Sequence, residues 1–216
     1  MNYELISSGI SDFIWCHNKD SKTGIMLSNE GEILISLNAG QDWNVKQMSK
    51  ENIVFFNELI KDSAADTFVV SELLKTETSP FVYFITTNQD IIFSKNCGVD
   101  LEYMSRIVDK SKYDVEKMLV NPNNSSHLLV LINQKNCLSR NKCFMTSNLY
   151  YSDDNGNFWL KIMEDVLDVI WADFDINAFG ILAIINLDTH FFTENDALTM
   201  NTKLIYTDNF FIRQSK

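Results

Sequence analysis

Glycine is scarce in this chain of 216 residues, with only 7 present. So few make the placement of each informative. Basic residues are also short: 18 Lys+Arg stand against 29 Asp+Glu, a formal net charge of −11. That balance argues against a nucleic-acid binder, whose affinity comes mainly from Lys and Arg neutralising phosphates. Cysteine occurs only 4 times, too few for a disulfide-dense scaffold. No apolar run approaches the length of a membrane span. The opening MNYELISSGISDFIW lacks a basic region followed by an apolar stretch, so no signal peptide is expected. What the chain does have is 45% hydrophobic and 12% aromatic residues, enough to bury a core and to argue against general disorder. The length predicts one domain or a piece of one.

The glycines lead to a repeat. YYSDDNGNFWLKI contains Ser152, Asp154, Gly156 and Trp159, a Ser-x-Asp-x-Gly-x-x-Trp pattern. LISLNAGQDWNVK has Ser36, Asn38, Gly40 and Trp43 in the same slots, and IFSKNCGVDLEYM has Ser94, Asn96 and Gly98, with Leu101 in the aromatic slot. A weaker fourth copy, IYTDNFFIRQ, holds Thr207 and Asn209, with Phe211 where glycine would stand. Ser36, Ser94, Ser152 and Thr207 are spaced by 58, 58 and 55 residues.

Short runs rich in Val, Ile, Phe and Tyr flank each copy, bounded by Asn, Asp, Ser and Gly. In the first unit they cover residues 13–16, 24–27 and 33–35; in the second, 68–73, 81–86 and 91–93. In the third they cover 115–120, 127–132 and 148–151, and in the fourth 169–174, 181–185 and 204–206. One more run follows each motif, such as 159–163. Trp15 and Trp171 share a slot in the first runs (FIW and VIW). Four short strands per unit at this period predict propeller blades, not a helical solenoid. The expected fold is therefore all-β, a partial β-propeller of about four four-stranded blades over residues 1–48, 49–108, 109–166 and 167–216. Residues 52–61 are compatible with a short helix, and 133–147 read as an inserted loop.

The motif falls at the turn between the third and fourth strands. Ser or Thr and Asp or Asn hydrogen-bond nearby backbone and close a tight turn. Glycine supplies a conformation that a Cβ penalises, and the aromatic residue packs over the turn. The motif marks the fold and is not a catalytic or metal site: only Asp153 and Asp154 offer charged oxygens in the third copy, fewer than a calcium loop needs.

SDDNGNFW and SLNAGQDW resemble the Asp-box of sialidases and related propellers. The wider context resembles the blades of the sortilin family of vacuolar and endosomal sorting receptors. There a first strand ending in Asn/His-Pro precedes an alternating strand, an Asp-box hairpin and a strand running into the Trp that opens the next blade. Here those features are Asn121-Pro122, residues 128–132, Ser152 to Trp159 and Val166 to Trp171. The resemblance spans roughly residues 12–213, with departures at Leu101 and Phe211. It implies a piece of a ten-bladed luminal propeller, non-enzymatic and without a cofactor, that takes protein or peptide cargo in the Golgi–endosome lumen as part of a membrane receptor. The chain itself has no membrane span in this reading, and ligand-contact residues are not assigned.

The same resemblance implies a staple between Cys137 and Cys143 in their loop; two reduced thiols are the alternative. Cys16 and Cys97 sit in or beside strands and are expected to be buried free thiols. No zinc pattern exists, since there is no Cys-x-x-Cys pair and the histidines are isolated. His127 reads as a strand-edge residue and not as a base. Asn123-Asn124-Ser125-Ser126 holds two overlapping N-glycosylation sequons; an ordinary polar turn is the alternative. The acidic runs Glu164-Asp165 and 173–175 read as solvated strand ends that also favour basic ligands by steering. The rival function is an Asp-box, sialidase-like glycoside hydrolase. The chain has only Arg106, Arg140 and Arg213 to set against the arginine cluster that a sialidase gathers on its substrate.

Overall fold

A computed structural model describes residues 9–16, 22–55, 57–75, 79–108, 112–134, 147–172, 180–186 and 202–207. The chain divides into two compact units, Met1–Arg106 and Ile107–Lys216.

In the first unit, β1 (Ile10–Trp15), β2 (Gly24–Ser28), β3 (Ile33–Ser36) and β4 (Asn44–Lys46) form an antiparallel meander in the order β1-β2-β3-β4. A second sheet is built from β5 (Ile53–Phe55), β6 (Val70–Lys75), β7 (Val82–Thr86), β8 (Asp90–Ser94) and β9 (Leu101–Arg106), in the order β5-β9-β8-β7-β6. The short β-branched run of β5 lies parallel to the outer strand β9, with Ile53 opposite Leu101 and Phe55 opposite Tyr103. It covers an edge that would otherwise present unpaired backbone groups.

The helix expected over 52–61 is shorter and later. Residues 53–55 go to β5, and α1 spans Glu58–Ser63. Asn57 supplies the reason: its Oδ1 accepts the Leu59 N–H at 2.9 Å, an N-cap that starts the helix after the strand.

The core of this unit lies between its two sheets. Ile25, Leu27, Ile33 and Ile35 from one meet Val70, Leu73, Val82, Phe84, Ile92 and Leu101 from the other. Strand alternation puts these residues on one face of each sheet. β7 and β8 are buried along their whole length, so Tyr83 and Phe93, with ring centroids 4.9 Å apart, fill the second face. Full burial of an Ile or Phe of this kind contributes about 1.5–3 kcal/mol.

In the second unit, β10 (Tyr113–Val120), β11 (Leu128–Gln134), β12 (Ser147–Ser152), β13 (Leu160–Trp171), β14 (Ile181–Asn186) and β15 (Thr202–Thr207) make one six-stranded antiparallel sheet in chain order. Leu129, Leu131, Leu149, Tyr151, Val166, Val169, Ile181 and Ala183 form its core cluster. β13 serves both the third and the fourth repeat. Its first half pairs with β12 and its second with β14, and Val166 faces Ser147 on one side and Ile185 on the other. The expected blade boundary at 166/167 therefore falls inside a strand. Asp165, at φ 56°, marks where the strand changes partner. Glu164 and Asp165 accordingly sit within a strand and not at a strand end, although both remain exposed.

Candidate functional site

Three of the repeated turns share one geometry. In the turn between β3 and β4, the Ser36 Oγ accepts the Gly40 N–H at 2.8 Å and donates to Asn38 Oδ1 at 3.0 Å. Asn38 Oδ1 also accepts the Asp42 N–H at 2.9 Å. The turn between β8 and β9 repeats this with Ser94 to Gly98 at 2.8 Å, Ser94 to Asn96 at 3.0 Å and Asp100 to Asn96 at 2.8 Å. The turn between β12 and β13 has Ser152 to Gly156 at 2.9 Å, Ser152 to Asp154 at 2.8 Å and Phe158 to Asp154 at 3.0 Å. Each has two consecutive residues at positive φ: Ala39 and Gly40, Cys97 and Gly98, Asn155 and Gly156. This left-handed pair matches strand twist in a tight hairpin. Trp43 lies over Gly40, and a Cβ there would stand 3.7 Å from its ring. The serine hydroxyl and the Asn or Asp side-chain oxygen of each motif are thus engaged within their own hairpin, while the N–H groups of Ala39, Cys97 and Asn155 reach carbonyls of Lys22, Pro80 and Ser126. Thr207 ends β15, whereas Asn209, Cys137 and Cys143 lie outside the described residues.

Cys16 and Cys97 are not free thiols, as their sequence setting suggests. They are joined in a disulfide with Cα atoms 6.0 Å apart. Each occupies a strand end or a turn of a neighbouring sheet, and the pleat brings the two side chains face to face in the core.

A second repeated feature escapes the sequence reading. The first strand of each unit shifts register once against its partner: between Ile10 and Asp12, Val70 and Glu72, Val115 and Lys117, and Val166 and Asp168. The extra residue is a β-bulge, which re-aims the side chains beside it. Ser11 and Ser71 occupy the bulge in the first two and donate to carbonyls of the adjacent strand, Leu27 at 3.1 Å and Ile85 at 3.0 Å. The residue that follows is charged in all four. In the first two units the signal was present as Ile-Ser-Asp at 10–12 and Val-Ser-Glu at 70–72, but one inserted residue disrupts the alternation by which strands are read.

In the first unit the two such residues are Asp12 and Glu72, on neighbouring first strands. Partial withdrawal from water, followed by the Asp12 charge, raises the Glu72 carboxyl above its usual range. In the second unit they are Lys117 and Asp168, paired at 2.8 Å. The Lys117 hydrogen bond holds Asp168 below the usual range. One pair has a surplus negative charge that suits a cationic group; the other neutralises itself.

Two other clusters bring titratable side chains together. Asp90 is fully buried and accepts from Tyr103 Oη at 2.9 Å and from Arg106 Nε at 2.8 Å. Tyr103 is raised by burial, then by the Asp90 charge and hydrogen bond. His127 precedes β11, and its Nδ1 lies 2.7 Å from Tyr151 Oη. Among the described residues no three His, Cys, Asp or Glu side chains converge as a metal centre.

No family model matches the chain. No curated protein matches it in sequence. Solved structures do. The xyloglucanase of family GH74 from Xanthomonas campestris superposes with a TM-score of 0.50 at 14% identity, over 83% of this chain and 28% of that one. YCF48 bound to D1 peptide gives 0.47 at 10% identity over 82% and 48%. YCF48 from Cyanidioschyzon merolae gives 0.47 at 12% over 84% and 52%. The chain therefore spans about half the length of the two YCF48 structures and little more than a quarter of the xyloglucanase. At these identities the likeness is one of fold: the chain is all-β, a stretch of β-propeller.

Proposed function

We propose that the chain is a non-enzymatic ligand-binding segment of a propeller, similar to the luminal domain of a sortilin-like sorting receptor, and that it takes protein or peptide cargo in the Golgi–endosome lumen. The observation that carries this reading is the disulfide between Cys16 and Cys97. Such a bond forms and persists in secretory and extracellular compartments, and is rare in the cytosol. The order of elements in the third unit supports the resemblance: β10 stops just before Asn121-Pro122, and β13 runs unbroken from the turn to Trp171. The pair Asp12 and Glu72, in a chain of net charge −11, favours basic segments in the cargo.

The test has two arms. Thiol labelling of the chain recovered from its own cells should find Cys16 and Cys97 protected, and imaging should place it in the endosomal lumen. Titration with Lys- and Arg-bearing peptides should show saturable binding, several-fold weaker in the double variant Asp12→Asn, Glu72→Gln. Reduced cysteines together with a cytosolic location would overturn the reading. Hydrolysis of glycosides that depends on a single carboxylate would favour the hydrolase instead.

A further inference from the structure

We propose that this chain pairs head to tail with a second copy of itself. One copy uses the face of β13–β15 turned away from the Ile181 and Ala183 core; the other uses the face of β1–β4 turned away from the second sheet. The pairing rests on the fold and not on the cargo reading.

The first unit already contains an interface of this kind. There the face of β2 and β3 that carries Ile25, Leu27, Ile33 and Ile35 packs on the face of the second sheet that carries Leu73, Phe84, Ile92, Leu101 and Tyr103. Strand register identifies the same positions in other repeats. Ser36, Ser94 and Thr207 stand opposite Gly24, Val82 and Ile181, so the three sheets align residue by residue from one motif position. Leu182, Ile184, Leu204 and Tyr206 of the fourth repeat occupy the positions of Ile25, Leu27, Ile33 and Ile35. Phe13, Met26, Leu34 and Val45 of the first repeat occupy those of Leu73, Phe84, Ile92 and Tyr103. Trp43 fills the motif slot that Leu101 fills in the second copy of the repeat.

All of these residues are apolar or aromatic, yet their exposure differs. Ile33 is 0% exposed, whereas Leu204 in the same position is 60% exposed. Leu73 is 5% exposed, whereas Phe13 is 48% exposed. Ile184, Tyr206 and Val45 are exposed as well, while Leu27, Ile35 and Tyr103 are buried. Each half of the buried interface thus recurs, exposed, on another sheet. Contiguous apolar surface of this kind marks an interaction site.

Because one chain carries both halves, a second copy presents the matching half to each. Such a contact is heterologous, with the two copies using different surfaces. Sheets stacked this way lie about 10 Å apart, with their side chains interdigitated and water excluded. Charge permits the approach. Asp168 stands opposite Ile184 as Asp12 stands opposite Leu27, so pairing brings Asp168 toward Asp12 of the second copy. Lys117, 2.8 Å from Asp168, balances the two carboxylates.

The test follows the mass of the purified full chain by sedimentation as its concentration rises through the micromolar range. The mass is expected to rise at least twofold. Phe13→Glu and Leu204→Glu then block one face each, both at exposed positions. Either variant alone is expected to keep the mass of one chain. An equal mixture is expected to recover pairs, because the β13–β15 face of the Phe13→Glu chain meets the β1–β4 face of the Leu204→Glu chain. Val45→Glu and Tyr206→Glu replace a variant that does not fold. An unaltered chain that stays single, a folded variant that still associates with itself, or a mixture that does not pair overturns the proposal.

Discussion

Cys16, just past the end of β1, is bonded to Cys97, which occupies the left-handed slot of the β8–β9 turn at φ 57°. The bond closes a loop across 81 residues of sequence and clamps two neighbouring sheets through one of the repeated turns. A crosslink that spans this much chain restricts the unfolded state strongly. Replacing both cysteines (Cys16→Ala, Cys97→Asn) is expected to lower stability by about 2–4 kcal/mol. Asn at position 97 retains the turn, because Asn155 adopts the same conformation at φ 63° in the third copy. Urea unfolding with and without reductant checks this. Reductant should lower the midpoint of the unaltered chain and leave that of the variant unchanged.

Gly98 and Gly40 occupy the same slot of the repeat at nearly the same dihedral, φ 82° and φ 80°. Their surroundings differ. A Cβ on Gly98 would stand 3.0 Å from Ile35 Cδ1 and 3.2 Å from Ile25 Cδ1, whereas one on Gly40 meets nothing closer than 3.7 Å. Gly40→Ala should therefore cost only the left-handed backbone penalty, about 1–2 kcal/mol. Gly98→Ala should cost about 1–3 kcal/mol more, from overpacking the core between the two sheets. Thermal unfolding of the two variants side by side gives the difference, and equal losses would contradict it.

The turns were legible in sequence because each of their residues has a fixed chemical job: hydroxyl acceptor, amide acceptor, glycine at positive φ. The disulfide was not legible, because Cys16 sits at a strand end and Cys97 in a turn, so no spacing rule links them. β5 was hidden for a different reason. Three residues in a linker carry no periodicity, and only the open edge of β9 makes them a strand. The bulges of the first strands were masked by the single residue that each inserts. In the strand shared by the third and fourth repeats, Asp165 is left-handed at φ 56°, a conformation that nothing in its neighbours announces.

Asp90 and Arg106 form an ion pair of unequal burial. The Asp90 side chain is fully buried, while that of Arg106 is 49% exposed. Removing one partner is not equivalent to removing the other. Arg106→Ala leaves a buried carboxylate supported by the Tyr103 hydroxyl and is expected to cost about 2–3 kcal/mol. Asp90→Asn leaves a guanidinium that already reaches water, and is expected to cost about 1–2 kcal/mol. Chemical denaturation of both variants and of the double variant tests the order. A larger loss for Asp90→Asn would show that burial does not govern this pair.

Glu72 makes the fold respond to pH in a direction unusual for a carboxylate. Its carboxyl is raised in the folded chain, first by partial desolvation and then by Asp12, so folding favours the protonated form. The stability it contributes is complete below its ordinary value of 4.5 and falls as pH rises through the higher folded value. At neutral pH the ionised Glu72 therefore works against the fold. Glu72→Gln is expected to stabilise the chain at pH 7 by a few tenths of a kcal/mol up to about 1 kcal/mol, the range for exposed charge pairs. Below pH 4.5 the variant should gain nothing. Unfolding midpoints of both proteins from pH 4 to 7 would check this, and a gain that persists unchanged at acid pH would contradict it. Asp12→Asn should reproduce part of the neutral-pH gain, because it removes the charge that crowds Glu72 and leaves the bulge at Ser11 in place.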